Sequence, residues 1–217
     1  MGLYDEVKQI VGSDTLEIYG DSGTGKTTFA KALLDDVLTM NKKATYIDSE
    51  RNIKDVPQNP NLTYHYAASL QGVYDNVMLK IPREQSLVVL DSIGMPILGE
   101  FATMDMKGRG DALLKAEAIA YKLKQYTWQN DCLVLILNQP ESSFGKGADH
   151  VREPFGDKHV YFIKEIWSSK IFDSSVSKTI CNISSFRSRV FGRDKLLYIC
   201  SISGSHDKVI VEVKKQW

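Results

Sequence analysis

The run Gly20, Asp21, Ser22, Gly23, Thr24, Gly25, Lys26, Thr27, Thr28 constrains this chain more than any other feature. It satisfies G-x-x-x-x-G-K-[ST] in the setting that pattern requires, after a strand and before a helix. The strand is read at Thr15 to Tyr19. Apolar residues at Phe29, Ala32, Leu33, Val37 and Leu38 predict a helix from Phe29 to Met40. Glycines let the backbone curl until successive N–H groups converge on an anion, and the helix that follows adds its positive end. The nine residues from Gly20 to Thr28 are therefore predicted to hold the phosphates of a nucleotide, read here as ATP. Lys26 would reach the β- and γ-phosphates, and the Thr27 hydroxyl would ligate Mg²⁺.

The rest of the chain is read around that loop. An amphipathic start (Leu3, Val7, Ile10, Val11) precedes the first strand. Ala44 to Ile47 is a second strand, Val56 to Asn61 a loop, and Tyr74 to Leu79 helical. Ser86 to Leu90 and Cys132 to Leu137 are continuous apolar runs, as central parallel strands are. Gly94 to Gly110 reads as irregular, Asp111 to Trp128 as a long helix, and Pro140 to Gly156 as a loop. Strand-like runs follow at Val160 to Trp167, Lys178 to Ser184, Leu196 to Ser203 and Val209 to Val213. The expectation is a single α/β domain spanning 1–217. Its mostly parallel central sheet would be flanked by helices, with antiparallel edge strands at the C-terminal end.

Two carboxylates fall where such a loop needs them. Asp91 follows the apolar run Ser86 to Leu90, at the carboxyl end of a strand on the same sheet edge, and is expected to serve the Mg²⁺ ion. Its other reading is a strand-end cap beside Ser92. Glu50 lies just past Ala44 to Ile47, where it could orient an attacking water; on spacing alone it reads equally well as a solvated loop acid.

With 43% hydrophobic and 25% charged residues, disorder is not the expected state. Basic and acidic residues balance at 27 each, so any nucleic-acid contact has to come from a local patch. Basic residues outnumber acidic ones between Ser142 and Lys195. Cys132, Cys181 and Cys200 are far apart and odd in number, and read as reduced, buried thiols. The four histidines show no metal-ligand spacing. With no signal-peptide pattern and no membrane-length apolar run, a cytoplasmic protein is expected.

Several blocks, taken in order, resemble the RecA/RadA recombinase family. Tyr46 to Glu50 (YIDSE) resembles the segment whose glutamate orients the attacking water. Leu133 to Pro140 (LVLILNQP) is similar to the strand ending in Asn-Gln, which implies that Gln139 senses the γ-phosphate. Lys107 to Asp111 (KGRGD) resembles the segment that closes the first DNA-binding loop, and Pro154 to Asp157 (PFGD) is similar to a P-x-G-G. The closing stretch Ser185 to Gly204 most resembles the short archaeal RadB paralogs. Two differences stand out. The glycine-rich loop begins at Gly20, with no helical DNA-binding domain before it, and Asp157 stands at the second glycine of P-x-G-G. Phe29 to Ala32 fits the family's Phe-x-x-Ala string but lies on the helix after the loop, where core packing is expected.

The resemblance implies a RecA-like ATPase core acting in DNA recombination or repair. Glu50, Lys26 and Gln139 would act in ATP hydrolysis, and Thr27 and Asp91 on magnesium. Single-stranded DNA would be held by Lys107 and Arg109 in a first loop and by Lys146 and Arg152 in a second, with Phe144 as a stacker. Composition alone favours solvated loop charges at those four positions. A recombinase or other protein partner and a homo-oligomer are compatible with this reading. The alternatives are a KaiC-like regulatory ATPase and a nucleotide-sensing mediator that docks a protein without DNA-dependent turnover. Arg187 and Arg189, read as alternating on one strand, would face one side, as an exposed strand face or a contact to a neighbouring subunit.

Overall fold

The computed structural model describes residues 2–53, 56–101, 103–139, 162–175, 178–205 and 208–216. In chain order the elements are helix α1 (Leu3–Val11), strand β1 (Thr15–Tyr19), α2 (Lys26–Thr39), β2 (Ala44–Asp48), β3 (Leu62–Tyr66) and α3 (Leu70–Leu79). They continue with β4 (Leu87–Asp91), α4 (Gly94–Phe101), α5 (Met106–Gln129), β5 (Leu133–Asn138), β6 (Glu165–Ser174), β7 (Lys178–Arg187), β8 (Leu196–Ser205) and β9 (Lys208–Lys215).

The nine strands among the described residues form one sheet in the order β3-β2-β4-β5-β1-β6-β7-β8-β9. All neighbours from β3 to β6 run parallel, and β6 to β9 pair antiparallel. This is the expected α/β architecture, a mostly parallel sheet flanked by helices with antiparallel C-terminal strands. Among the described residues no helix is long and apolar enough to cross a membrane.

The central strands are buried along their whole length because both faces are covered. Alternate residues serve opposite faces. Leu16 and Ile18, Leu87 and Val89, and Leu133, Leu135 and Leu137 share a core with α1 and α2. Val88 and Leu90, with Val134 and Ile136, pack with α3, α4 and α5. Each fully buried Leu, Ile or Phe contributes about 1.5–3 kcal/mol. On the first face Phe29, Trp167 and Tyr198 pack as an aromatic trio, with ring centroids 5.3–6.3 Å apart. Phe29 is thus core, and it ties α2 to β6 and β8.

Several expectations are corrected. The strand β3 falls between the predicted elements; it is an edge strand whose side chains are half-buried up to an exposed Tyr66, so no apolar run announces it. The stretch Gly94 to Gly110 is not irregular: α4 fills its first half, and α5 begins at Met106 rather than Asp111. Asp105 caps α5 by accepting the Gly108 N–H at 2.8 Å. The β6 strand starts at Glu165, five residues later than expected. Arg189 lies beyond β7, so it does not alternate with Arg187 on one strand. Of the tryptophans, which the sequence suggests as core or edge aromatics, Trp128 is 64% exposed on α5, whereas Trp167 is fully buried. All three cysteines are free and buried, as expected.

Candidate functional site

The loop between β1 and α2 lies at the carboxyl edge of the parallel strands. Gly23 and Gly25 have φ values of 79° and 85°, in the left-handed region that favours glycine. Gly25 is the N-cap of α2; no side chain among the described residues caps that end, and its first turn holds no acid. The first-turn N–H groups are left facing the cleft, where they and the helix dipole favour an anion. Lys26 Nζ bridges the loop, donating to the carbonyls of Gly20 at 2.7 Å and Asp21 at 2.8 Å. Burial pulls its ammonium below the ordinary lysine pKa, while Glu50, Asp91 and Asp21 oppose that shift.

The antiparallel strands form the bed of this loop. A Cβ on Gly20 would collide with the Ser169 carbonyl, and one on Gly25 would lie 3.2 Å from Cys181 Sγ. Ser169 Oγ donates to the Thr24 carbonyl at 2.5 Å. Cys181 stands directly opposite Cys200 across the β7–β8 ladder, and burial raises both thiols, that of Cys200 to about 12.

Around the loop lies a cleft of about 240 Å³, lined by Ser22 to Thr28 together with Glu50, Asn52, Asp91, Gln139 and Ile202. Thr27 Oγ1 donates to Asp91 Oδ2 at 3.0 Å, and Tyr46 Oη donates to the same oxygen at 2.6 Å. Asp91 is only 2% exposed; burial raises its carboxyl above the usual range, and the two hydroxyl donors oppose that. Tyr46 in turn is pushed well up, by burial first and by Asp91 second.

Glu50 stands on a turn built by Asp48. The Asp48 carboxylate accepts the N–H groups of Glu50 and Asn52 through Oδ1, each at 3.1 Å, and that of Ile53 through Oδ2 at 3.0 Å. The Tyr64 hydroxyl also reaches Asp48 Oδ2, at 2.9 Å. Ser49 and Ser92 stitch the ends of β2 and β4 together: the Ser49 hydroxyl donates to the Ser92 carbonyl at 2.6 Å and accepts the Ser92 N–H at 2.9 Å. The Glu50 carboxylate accepts from Ser92 Oγ, from Gln139 Nε2 at 3.3 Å and from Asn52 Nδ2 at 3.3 Å.

Lys26, Thr27, Asp91, Glu50 and Gln139 therefore meet in one cleft with the glycine-rich loop. Lys107 and Arg109 do not lie in a loop, as the sequence suggested. Both are exposed on the first turn of α5, with the Arg109 guanidinium 6.0 Å from the Phe101 ring centroid. Since α5 leads into the start of β5, this turn lies towards the same sheet edge as the cleft. Lys146, Arg152 and Phe144 fall outside the described residues, as do Pro154 to Asp157. The sequence reading missed Asn52, Ser92, Ser169 and Cys181 at the site. It quoted Tyr46 and Asp48 without giving them a role.

Among the described residues no group of three His, Cys, Asp or Glu side chains is placed to hold a metal ion. A hydroxyl beside one carboxylate, next to an anion cradle, still fits a hard cation that takes its remaining oxygens from phosphate and water. Compared with known proteins, the chain matches no protein-family model and no curated protein. Fold and site together define an α/β protein with a mostly parallel sheet and a lysine-bearing, glycine-rich loop at its carboxyl edge.

Proposed function

We propose that the chain is a magnesium-dependent ATPase with a RecA-like phosphate-loop core, closest in kind to RadB and working with single-stranded DNA in recombination or repair. The observation that carries the reading is the meeting, in one cleft, of the Thr27–Asp91 pair with Glu50 and Gln139 beside the Gly20 to Thr28 loop. Phosphate oxygens would replace the Gly20 and Asp21 carbonyls as partners of Lys26 and accept the first-turn N–H groups of α2. Magnesium, next to Thr27 and served by Asp91, would supply charge neutralisation to the phosphates. Glu50 orients the attacking water in line with the γ-phosphorus, and Gln139 holds one oxygen of that carboxylate. The Lys26 ammonium meets charge as it builds on the transferring group.

DNA enters the proposal through Lys107 and Arg109, two exposed cations on one helical turn at the cleft end of the sheet. Phosphate release is measured with and without single-stranded DNA, at several protein and salt concentrations, for wild type, Lys26→Ala and Arg109→Ala. Magnesium-dependent release that Lys26→Ala abolishes is the expected result. DNA should stimulate it less as salt rises, and less in Arg109→Ala. Release indifferent to DNA would favour a KaiC-like regulator, tight ATP binding with no release would favour a nucleotide-sensing mediator, and no ATP binding would end the reading.

A further inference from the structure

Asn52 has no part in the scheme just given, yet its side chain sits at the centre of the cleft. The carboxamide Nδ2 lies 3.4 Å from Thr27 Oγ1, 3.3 Å from Glu50 Oε2 and 3.5 Å from each Asp91 carboxylate oxygen. These are the hydroxyl and the carboxylate that would serve a cation, and the acid that would serve the water. Equal distances to both Asp91 oxygens put the amide nitrogen on the bisector of that carboxylate. An N–H pair and a divalent cation both need these lone pairs, and both cannot hold them at once.

We propose that Asn52 competes with magnesium for the Thr27–Asp91 pair and so sets how much magnesium the chain needs to retain a nucleotide. The inference rests on the ATPase reading above and concerns the regulation of that same cleft. The main chain at Asn52 is fixed: its N–H is held by Asp48 at 3.1 Å, and its carbonyl accepts from Lys31 Nζ at 3.0 Å. Side-chain rotation, rather than movement of the turn, is therefore how the amide leaves. Because the carboxamide is neutral, its departure strands no charge. The same rotation frees Glu50 Oε2, so arrival of the cation also exposes the oxygen that would face water. Asn52 is thus a positioning residue acting through Asp91 and Glu50.

The test is a magnesium titration of a non-hydrolysable ATP analogue bound to wild type, Asn52→Ala and Asn52→Asp, followed by calorimetry. In Asn52→Ala the competing donors are gone, and the magnesium concentration giving half-maximal analogue binding should fall by about three- to tenfold. Asn52→Asp should also lower it. That variant adds a third carboxylate, so its cation-free melting temperature should drop, and magnesium alone should restore it. A purely structural role for Asn52 would lower the melting temperature of both variants whatever the magnesium concentration. If wild type binds the magnesium–analogue complex and Asn52→Ala needs as much magnesium or more, this proposal is overturned while the ATPase reading stands. If wild type does not bind it at all, both fall.

Discussion

Gln139 donates its side-chain amide to Glu50 Oε1 at 3.3 Å, joining residues 89 positions apart, at the ends of β5 and β2, over the intervening strand β4. One carboxylate oxygen of Glu50 is thereby aimed by a group that would itself feel the terminal phosphate. Glu50→Gln keeps the shape and loses the charge. It should lower phosphate release by at least about 100-fold, with ATP affinity nearly unchanged. Gln139→Ala should have a smaller effect, and the double variant should be no worse than Glu50→Gln, because the two act as a unit. Single-turnover phosphate release with a binding isotherm for each variant checks this.

Asp91 carries a stability cost in the folded chain. Burial raises its carboxyl above the ordinary value, so the folded protein favours the protonated form. The burial costs nothing while both states are protonated, below the unfolded-state pKa; the cost builds as pH rises from there to the folded-state value and is fully present above it. Asp91→Asn should therefore melt higher than wild type at pH 7. The gain should shrink on acidification, and magnesium-dependent nucleotide binding should be lost. Equal melting curves at pH 7 and pH 4 would count against the buried charge as the cause.

Gly25 combines φ 85° with close packing on Cys181. Gly25→Ala should cost about 1–2 kcal/mol for the left-handed backbone alone, with a further loss from the contact. It should also weaken the nucleotide binding proposed for the loop. Adding Cys181→Ala should recover the contact part of the loss and leave the backbone part. Chemical denaturation of the single and double variants separates the two.

The aromatic trio under α2 supports the helix that carries Lys26 and Thr27. Phe29→Ala should destabilise the fold by about 3–5 kcal/mol, measured by urea unfolding. Phe29→Leu should cost less and retain nucleotide binding.

His65 on β3 leaves Nε2 buried without a hydrogen-bond partner among the described residues, and burial, with the Lys80 charge second, lowers its pKa. The unfolded chain then binds the proton more readily than the folded one. Stability should fall as pH drops through about 6.5 and level off below the folded-state value. His65→Gln should flatten that slope in melting temperatures taken from pH 7.5 to pH 5.

How much of this was legible in the sequence follows from where the information is stored. The strands β1, β4 and β5 announce themselves as unbroken apolar runs because both of their faces are covered. Gly94, Pro96 and Gly99 look like helix breakers, yet α4 forms around the fully buried Ile97; tertiary packing outweighs local propensity there. Gly108 and Gly110 similarly disguised the first turn of α5, which Asp105 caps. At the site, Lys26, Thr27, Asp91, Glu50 and Gln139 were readable because each belongs to a motif or follows a strand. Ser169 and Cys181 were not, since the topology brings them to the loop across 145 and 158 positions. Asn52 was hidden for another reason: nothing in its neighbours shows that Asp48 folds the turn back over the cleft.

The support that β6 and β7 give the loop limits how far the chain can be shortened. A fragment ending at Gln139 would retain Lys26, Thr27, Glu50, Asp91 and Gln139 and the five described helices, yet Gly20, Thr24 and Gly25 would rest on water instead of on Ser169 and Cys181. The antiparallel half of the sheet therefore shapes the glycine-rich loop as much as its glycines do, and the loop's conformation cannot be kept by the parallel half alone.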